Sequence, residues 1–271
     1  MKILINKTGE RIIPEKIEST EEYLIYLKQL FVYEFVKNLL PKDGYILELG
    51  CGEGYGTSLL SKYVKRIVGL DVDKKTISNA LNKYGSKNCS FQLYNGLKIP
   101  YEDNTFDGVV SFQVIEHIKD DINFVSEAYR VLKKEGIFIL TTPNRICRLK
   151  PDQRPWNRFH IREYYSYELE NLLKSKFSDV RILGVKGDEE INRIEIQRLN
   201  QNAKLGLLVP LNLRKLIPAS VESGIIRFIR IIIKKRNKIE VDFRMRYNLS
   251  DFSVTDIDIG HSLDLLGISK K

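Results

Sequence analysis

The sequence predicts an α/β fold in which a doubly wound, mostly parallel sheet of seven strands carries helices on both faces. Two observations lead to this prediction. Strand-like and helix-like segments alternate along the first 187 residues, and the strand-like segments are almost continuously apolar, which is typical of a sheet buried on both faces. The chain has 271 residues, 43% of them hydrophobic and 29% charged. This globular composition excludes disordered, collagen-like and disulfide-scaffold proteins.

Seven segments have strand character. They are YILELG (45–50), RIVGLDV (66–72), CSFQLY (89–94), FDGVVSFQV (106–114), GIFILTT (136–142), DVRILGV (179–185) and SLDLLGIS (262–269). About 75 residues separate the last two, which is too long for an ordinary connection, so we expect an inserted C-terminal subdomain before the last strand. The predicted division is 1–44 as an N-terminal helical lid, 45–187 as the ligand-binding core, 188–261 as a basic, substrate-covering insertion and 262–271 as the closing strand.

Capping residues predict where the helices begin. Ser19 is followed by Glu22 in a capping-box pattern, and Asp73 can cap a second helix. Asp121 is expected to cap a third, and Ser166 opens a fourth. The helix after Asp121 is expected to bury a face formed by Ile122, Val125, Tyr129 and Leu132.

The positive charge of the chain is concentrated in one segment. The net charge is +9, and residues 204–238 hold nine basic residues against one acid, Glu222, for a local charge of +8. Three interpretations stay open: a solvated face of the inserted subdomain, a contact with an anionic membrane surface, or a face that binds phosphates or nucleic acid. No zinc motif, RNA-binding signature or aromatic platform supports a nucleic-acid partner, which is therefore the least favoured.

Cysteine usage and hydropathy indicate a cytoplasmic setting. Cys51, Cys89 and Cys147 are widely spaced and odd in number, so they predict neither a disulfide framework nor a metal cluster. The first residues lack the apolar core of a signal peptide. No charge-free apolar run approaches the length of about 18 residues that a membrane-spanning helix needs.

The turn after the first strand carries the main functional signal. Its sequence, GCGEGYG (50–56), has four alternating glycines, which let the backbone turn tightly and approach a ligand closely. Asp71, about 20 residues further on, ends the second strand, where a carboxylate can bind both hydroxyls of a ribose. The alternative is that Asp71 only caps the next helix. The pattern predicts a ligand that contains a nucleoside.

The charges around this turn narrow the ligand. A dinucleotide fingerprint would require glycine at the sixth place, where Tyr55 stands. Glu48 and Glu53 flank the loop and would repel a pyrophosphate. They suit a cation, and S-adenosylmethionine carries a sulfonium and an ammonium group and no phosphate.

Five segments in order resemble the successive motifs of class I S-adenosylmethionine-dependent methyltransferases, a Rossmann-like family. They are ILELGCGEGYG, VGLDVD, NGLKIPYEDNTFD, FQVIEHIKD and GIFILTTPNR, and they cover roughly residues 45–187. GERIIP, GEGYG and PWNRFHIREYYSYEL (155–169) are similar to a type 11/23-like bacterial and archaeal subgroup. The resemblance to that subgroup implies acceptors such as sugars, lipids or other small molecules of the cell envelope.

Carried over position by position, the resemblance implies a set of cofactor contacts. These are Glu48, Gly50, Cys51, Gly52, Gly54, Asp71, Val72, Asn95, Gly96, Phe112 and Gln113. In this set Glu48 would hold the amino group, directly or through water, and Val72 would pack on the adenine or belong to the core. Asn95 replaces the family's usual aspartate, and its amide oxygen can still accept a hydrogen bond from the adenine amine. Tyr33 and nearby tyrosines of the first helix could cap the cofactor, or could simply be packing.

Methyl transfer to a hydroxyl or a protonated amine needs a base. His117 follows the fourth strand, and the unperturbed pKa of a histidine is near neutrality, which suits a base; Glu116 beside it could orient it. The alternative is that this pair only ties down a loop. His160 is a further catalytic candidate, but the segment around it could also be purely structural. The expected acceptor-binding residues are Arg158, Arg162 and Tyr164, which suit an anionic or hydroxyl-rich molecule.

The expected activity is therefore O-methylation of a small molecule, with S-adenosylmethionine as cofactor and without a metal. The catalytic Asn/Asp-Pro-Pro-Tyr/Phe motif of amino-directed nucleic-acid methyltransferases is missing, since the fourth strand ends in SFQV. A nucleic-acid or protein methyltransferase and a catalytically silent cofactor-binding module remain the alternatives.

Overall fold

A computed structural model describes residues 12–157, 159–208 and 243–271. Most of the basic segment 204–238 therefore lies outside the described residues. The strands are β1 (Tyr45–Leu49), β2 (Arg66–Asp71), β3 (Cys89–Leu93), β4 (Phe106–Phe112), β5 (Leu132–Pro143), β6 (Asp179–Gly187), β7 (Phe252–Thr255) and β8 (Asp264–Lys270). They form one sheet in the order β3-β2-β1-β4-β5-β8-β6-β7.

The sheet is doubly wound and mostly parallel, as predicted. Strands β1 to β5 pair in parallel, whereas β8 runs antiparallel between β5 and β6. The predicted number of seven strands is wrong, because Phe252–Thr255 forms an eighth strand. This strand lies within the expected insertion and pairs antiparallel with β6. With four residues, it is too short to give a recognisable hydrophobic period.

Helices cover both faces of the sheet. The α-helices of the described residues are α1 (Thr20–Val36), α2 (Tyr55–Leu60), α3 (Lys74–Tyr84), α4 (Asp121–Val131), α5 (Arg145–Arg148), α6 (Ser166–Lys174), α7 (Glu189–Leu208) and α8 (Phe243–Arg246). One buried cluster packs α4 and α6 on the sheet around Phe106, Phe138 and Phe177. A second packs α1, α2 and α3 on the opposite face around Val36 and Ile67. Among the described residues, none of the helices combines the length and the apolar character that crossing a bilayer requires.

The predicted helix starts at Ser19 and Asp73 are confirmed, and that of α4 is corrected. The Ser19 side chain accepts a hydrogen bond from the Glu22 amide, and Asp73 accepts one from Lys75. Asp120, and not Asp121, caps α4. The face predicted for α4 is also wrong in part, because Ile122 is 60% exposed and Leu132 already belongs to β5. The residues that α4 buries in the core are Phe124, Val125, Ala128 and Val131.

Gly184 of β6 packs closely against Ser262, in the turn before β8. This contact allows a prediction about stability. A Cβ atom at Gly184 would lie 1.8 Å from Oγ and 2.5 Å from Cβ of Ser262. We expect Gly184→Ala to lower the free energy of unfolding by about 1–3 kcal/mol, because one of the two backbones must move. Urea denaturation followed by circular dichroism measures this change.

The matched control is Gly260→Ala, where the nearest heavy atom would lie at an ordinary 3.8 Å. The same loss of unfolded-state entropy applies to both variants, so Gly260→Ala should be neutral or stabilising by up to about 1 kcal/mol. Equal stabilities for the two variants would contradict the close packing of β6 on the Ser262 turn.

Candidate active site

The candidate site lies where the carboxyl ends of β1, β2, β4 and β5 meet. After β1 the chain turns back over β2, since the amides of Gly50 and Cys51 both donate to the Leu70 carbonyl, at 2.8 and 3.0 Å. Helix α2 then begins at Tyr55. The predicted loop is thus bent across the end of the neighbouring strand, which is the usual ligand position in an open parallel sheet.

The glycines of this loop have different surroundings. Gly50, Gly52 and Gly54 all have positive φ, at 76°, 52° and 82°. A Cβ atom at Gly50 would lie 2.4 Å from Val114, and one at Gly54 would lie 2.7 Å from Phe91. A Cβ atom at Gly52 would have no heavy atom within 4 Å. Gly50 and Gly54 are therefore packed against the protein, whereas Gly52 presents its backbone to open space.

Asp71 fixes the exposed part of the loop. Its buried carboxylate accepts hydrogen bonds from the amides of Gly52 and Asp73, each at 3.0 Å. Asp73 supplies the side-chain cap of α3, so Asp71 is not the cap that the alternative interpretation supposed. The carboxylate predicted for a ribose lies directly beside the open glycine.

Glu48 lies under the same loop and is almost fully buried, with 1% exposure. Its two carboxylate oxygens accept hydrogen bonds from the hydroxyls of Tyr33 on α1 and Thr57 on α2, each at 2.5 Å. Burial raises the pKa of Glu48 from 4.5 to about 7, although both hydroxyls favour the charged form. Glu48 is thus an acid that is half protonated near neutral pH and that a nearby cation would ionise.

Tyr33 connects the first helix to this site. Its ring contacts Phe112 edge to face, with centroids 4.9 Å apart. A Cβ atom at Gly56 would lie 1.9 Å from the ring, so glycine is required there for Tyr33 to reach Glu48. The sequence left two roles open for Tyr33, capping the cofactor or packing in the core. In the structure, Tyr33 contacts Glu48 and Phe112, which are both predicted to bind the cofactor.

Val72 and Asn95, the residues predicted to contact the adenine, have different surroundings from each other. Val72 is half-buried and follows Asp71 at the end of β2. The side-chain oxygen of Asn95 accepts hydrogen bonds from the amides of Leu97 and Lys98, at 2.9 and 3.0 Å. This oxygen therefore closes its own turn, in which Gly96 has a φ of 74°.

Gln113 brings together residues that the sequence analysis missed. Its backbone is left-handed, with a φ of 56°. Its side-chain nitrogen Nε2 donates to the Asp264 carboxylate at 3.2 Å and to the Thr141 hydroxyl at 3.3 Å. Lys28 of α1 forms a buried ion pair with Asp264, at 2.7 Å. The signal in the sequence was a lysine on the apolar face of a helix and an acid at the start of an apolar strand. The second oxygen of Asp264 is buried and has no hydrogen-bond partner among the described residues.

Glu116, His117 and His160 form a separate cluster after β4. Glu116 and His117 lie in a 3₁₀ turn, Ile115–His117, directly after β4. The two imidazole centroids are 4.9 Å apart. The ligand atoms of the three side chains lie within 4.8 Å of one another, so two candidates far apart in the sequence form one cluster.

Each histidine is oriented through Nδ1. His117 Nδ1 lies 3.0 Å from the carbonyl oxygen of Phe159, and His160 Nδ1 lies 2.8 Å from Glu163 Oε1. Glu163 is also paired with Arg148. Because a carbonyl oxygen can only accept, Nδ1 of His117 carries a hydrogen, and in the neutral ring the lone pair is then on Nε2.

The predicted acceptor residues are held by the start of α4. Arg162 forms an ion pair with Asp121 and donates to the Lys119 carbonyl at 2.8 Å. The buried hydroxyl of Tyr164 donates to the same Asp121 carboxylate at 2.8 Å. Arg158 lies outside the described residues.

Comparison with known proteins agrees with the motifs. A family model described as a methyltransferase domain matches residues 47–140. A probable S-adenosylmethionine-dependent methyltransferase of Mycolicibacterium smegmatis is 38% identical over 179 residues, which are 66% of this chain and 67% of that protein. The match therefore spans about two thirds of that relative.

Solved structures share the fold at low identity. A possible histamine N-methyltransferase from Thermotoga maritima superposes with a TM-score of 0.56 and 16% identity, over 92% of this chain and 94% of its own. The [4+2]-cyclase SpnF has a TM-score of 0.56 and 17% identity, over 90% and 81%. Since one of these is a cyclase, the fold alone does not fix the reaction. The sequence relatives do fix the family: the chain belongs to the class I S-adenosylmethionine-dependent methyltransferases.

Proposed function

We propose that this protein transfers a methyl group from S-adenosylmethionine to a hydroxyl of a small molecule, such as a sugar, a lipid or a glycan precursor. The observation that carries the proposal is the open backbone at Gly52 beside the buried carboxylate of Asp71, in the loop that follows the buried Glu48. A ligand in this position meets a cradle lined by acids, which suits a cation and disfavours a phosphate.

The residues present fit S-adenosylmethionine. Asp71 would bind the ribose hydroxyls, Gly52 would allow close backbone approach, and Glu48 would hold the ammonium group. When bound, S-adenosylmethionine supplies an electrophilic methyl group on a sulfonium. The other predicted contacts, including Phe112 and Gln113, lie along the same edge of the sheet and belong to this proposal.

The acceptor is proposed to bind at the ends of β4 and β5. Two sets of groups suited to a hydroxyl-bearing molecule support this: the cluster of His117, His160 and Glu116, and Asp264 with its buried second oxygen. With Nδ1 of His117 donating to the main chain, Nε2 is the atom that can take the proton of the hydroxyl. Arg162 is partly exposed and would border the same acceptor. The lid and the basic insertion would cover this side.

Asp71→Ala tests the cofactor site. We expect the affinity for S-adenosylhomocysteine to fall at least about tenfold, because the variant removes both the ribose contact and the anchor of Gly52. Isothermal titration calorimetry measures the affinity. Asp73→Ala is the matched control: it removes a helix cap, at about 1 kcal/mol of stability, and should leave the affinity unchanged. Equal losses in the two variants would remove the ribose assignment.

The pKa of Glu48 makes cofactor affinity depend on pH. Its unliganded value of about 7 means that the acid is protonated at pH 6, and an ammonium group beside it favours the ionised form. Binding then releases a proton, so the affinity for S-adenosylhomocysteine should rise about 5- to 10-fold between pH 6 and 7.5 and level off above. Glu48→Gln should flatten this slope and Glu53→Gln, in the same loop, should keep it. A wild-type slope in Glu48→Gln would exclude Glu48 as its source.

Transfer of a labelled methyl group tests the acceptor. A panel of sugars, lipids, nucleic acid and protein should give product with a hydroxyl-bearing small molecule. His117→Ala should lower turnover at least about tenfold and leave the affinity for S-adenosylhomocysteine within twofold, since the residue acts on the acceptor. Labelling of nucleic acid or protein alone would reject the acceptor class. Cofactor binding without any transfer would favour a silent module.

A further inference from the structure

We propose that Glu116, His117 and His160 form a binding site for one divalent transition-metal ion of the zinc type. Each offers one ligand atom, and the three atoms lie within 4.8 Å of one another. Glu116 and His160 are buried and His117 is half-buried. Two imidazoles and one carboxylate are a common ligand set of catalytic zinc sites.

The surroundings of both histidines have the pattern found around metal ligands. A ligating histidine usually donates its second N–H to a carboxylate or a main-chain carbonyl, which fixes the ring and its tautomer. His160 does so to Glu163 at 2.8 Å, and His117 does so to Phe159 at 3.0 Å. In each ring Nε2 is then the nitrogen that the proposed site would use as its ligand atom. Two adjacent histidine rings are thus oriented in the same way, each through a hydrogen bond at Nδ1.

The carboxylate ligand and the outer partner are fixed as well. Thr142 at the end of β5 donates a hydrogen bond to Glu116 Oε2 at 3.1 Å. The amide of Ile161 donates to the Glu116 carbonyl at 2.8 Å, which holds the His160 segment against the turn after β4. Arg148 lies 3.1 Å from Glu163 and keeps its carboxylate in place as the acceptor for His160.

The donor atoms indicate the class of metal. Imidazole nitrogen suits zinc, iron, cobalt and nickel, whereas magnesium and calcium take oxygen ligands. Three protein ligands leave at least one coordination position for a water or substrate oxygen, as in catalytic sites and unlike closed structural ones.

The consequence for the reaction rests on the proposed function. The cluster directly follows β4, at the edge where the acceptor is proposed to bind. A hydroxyl oxygen in the open position would have a lowered pKa and would lose its proton to solvent near neutral pH. That oxygen then forms the bond to the methyl carbon, and the sulfur retains the electron pair of the broken carbon–sulfur bond. With a metal bound, Nε2 of His117 would be a ligand, so the metal would replace the base role that the proposed function gives to His117.

Metal binding can be measured without cofactor or acceptor. The full chain, stripped with a chelator and dialysed, is titrated with zinc chloride by calorimetry and with cobalt chloride by visible absorption. We expect one ion per chain, and cobalt bands of a four- or five-coordinate site with nitrogen and oxygen ligands. Magnesium chloride is the third titrant and should give no binding in the same range.

Variants locate the site. Glu116→Gln, His160→Ala and His117→Ala should each weaken zinc binding at least about tenfold. His117 is half-buried, so its variant removes the least packing and keeps the test valid if a buried variant unfolds. His261→Ala is the matched control, since this histidine is 84% exposed and lies outside the cluster. It should bind zinc like the wild type.

Several outcomes would overturn the metal site. They are the absence of zinc and cobalt binding, binding that all three cluster variants retain, or a preference for magnesium. None of these touches the proposed function, which is tested separately by S-adenosylhomocysteine binding and methyl transfer. Conversely, zinc binding in a protein that transfers no methyl group would leave the site in place and remove only its role in the reaction.

Discussion

Parallel pairing of the central strands is the constraint on which the candidate site depends. Strand β1 is paired with both β2 and β4, so Glu48 lies opposite Gly69 on one side and Val110 on the other. Glu48, Asp71 and Gln113 are distant in the chain, but each lies at or just after the end of one of these strands. Parallel pairing therefore brings these residues to one edge of the sheet. The glycine loop only has to bend over β2 to complete the cradle.

The sequence predicted the parts of this arrangement that local chemistry determines. Continuous apolar runs indicate buried parallel strands, and capping side chains such as Ser19 and Asp73 indicate where helices begin. The alternating glycines indicated the loop in the sequence, since three of its positions need a positive φ that glycine adopts easily. Asp71 followed from its position at the end of a strand. In each of these cases a few adjacent residues carry the information.

The remaining parts depend on contacts between distant segments. The pair of Lys28 with Asp264 joins the first helix to the last strand, and neither residue has a local pattern that predicts it. The eighth strand exists because β6 offers a free edge to Phe252–Thr255. Asp120 caps α4 because Asp121 is occupied by Arg162 and Tyr164, which arrive from beyond β5. The sequence could list these residues and could not pair them.

The difference between local patterns and long-range contacts also applies to His117 and His160. Considered alone in the sequence, each histidine has two interpretations, catalytic or structural. Together their rings lie 4.9 Å apart, and each has its Nδ1 hydrogen engaged by a fixed acceptor. A general base needs only one such ring. Two rings oriented in this way beside Glu116 are the arrangement that the proposed metal site would use.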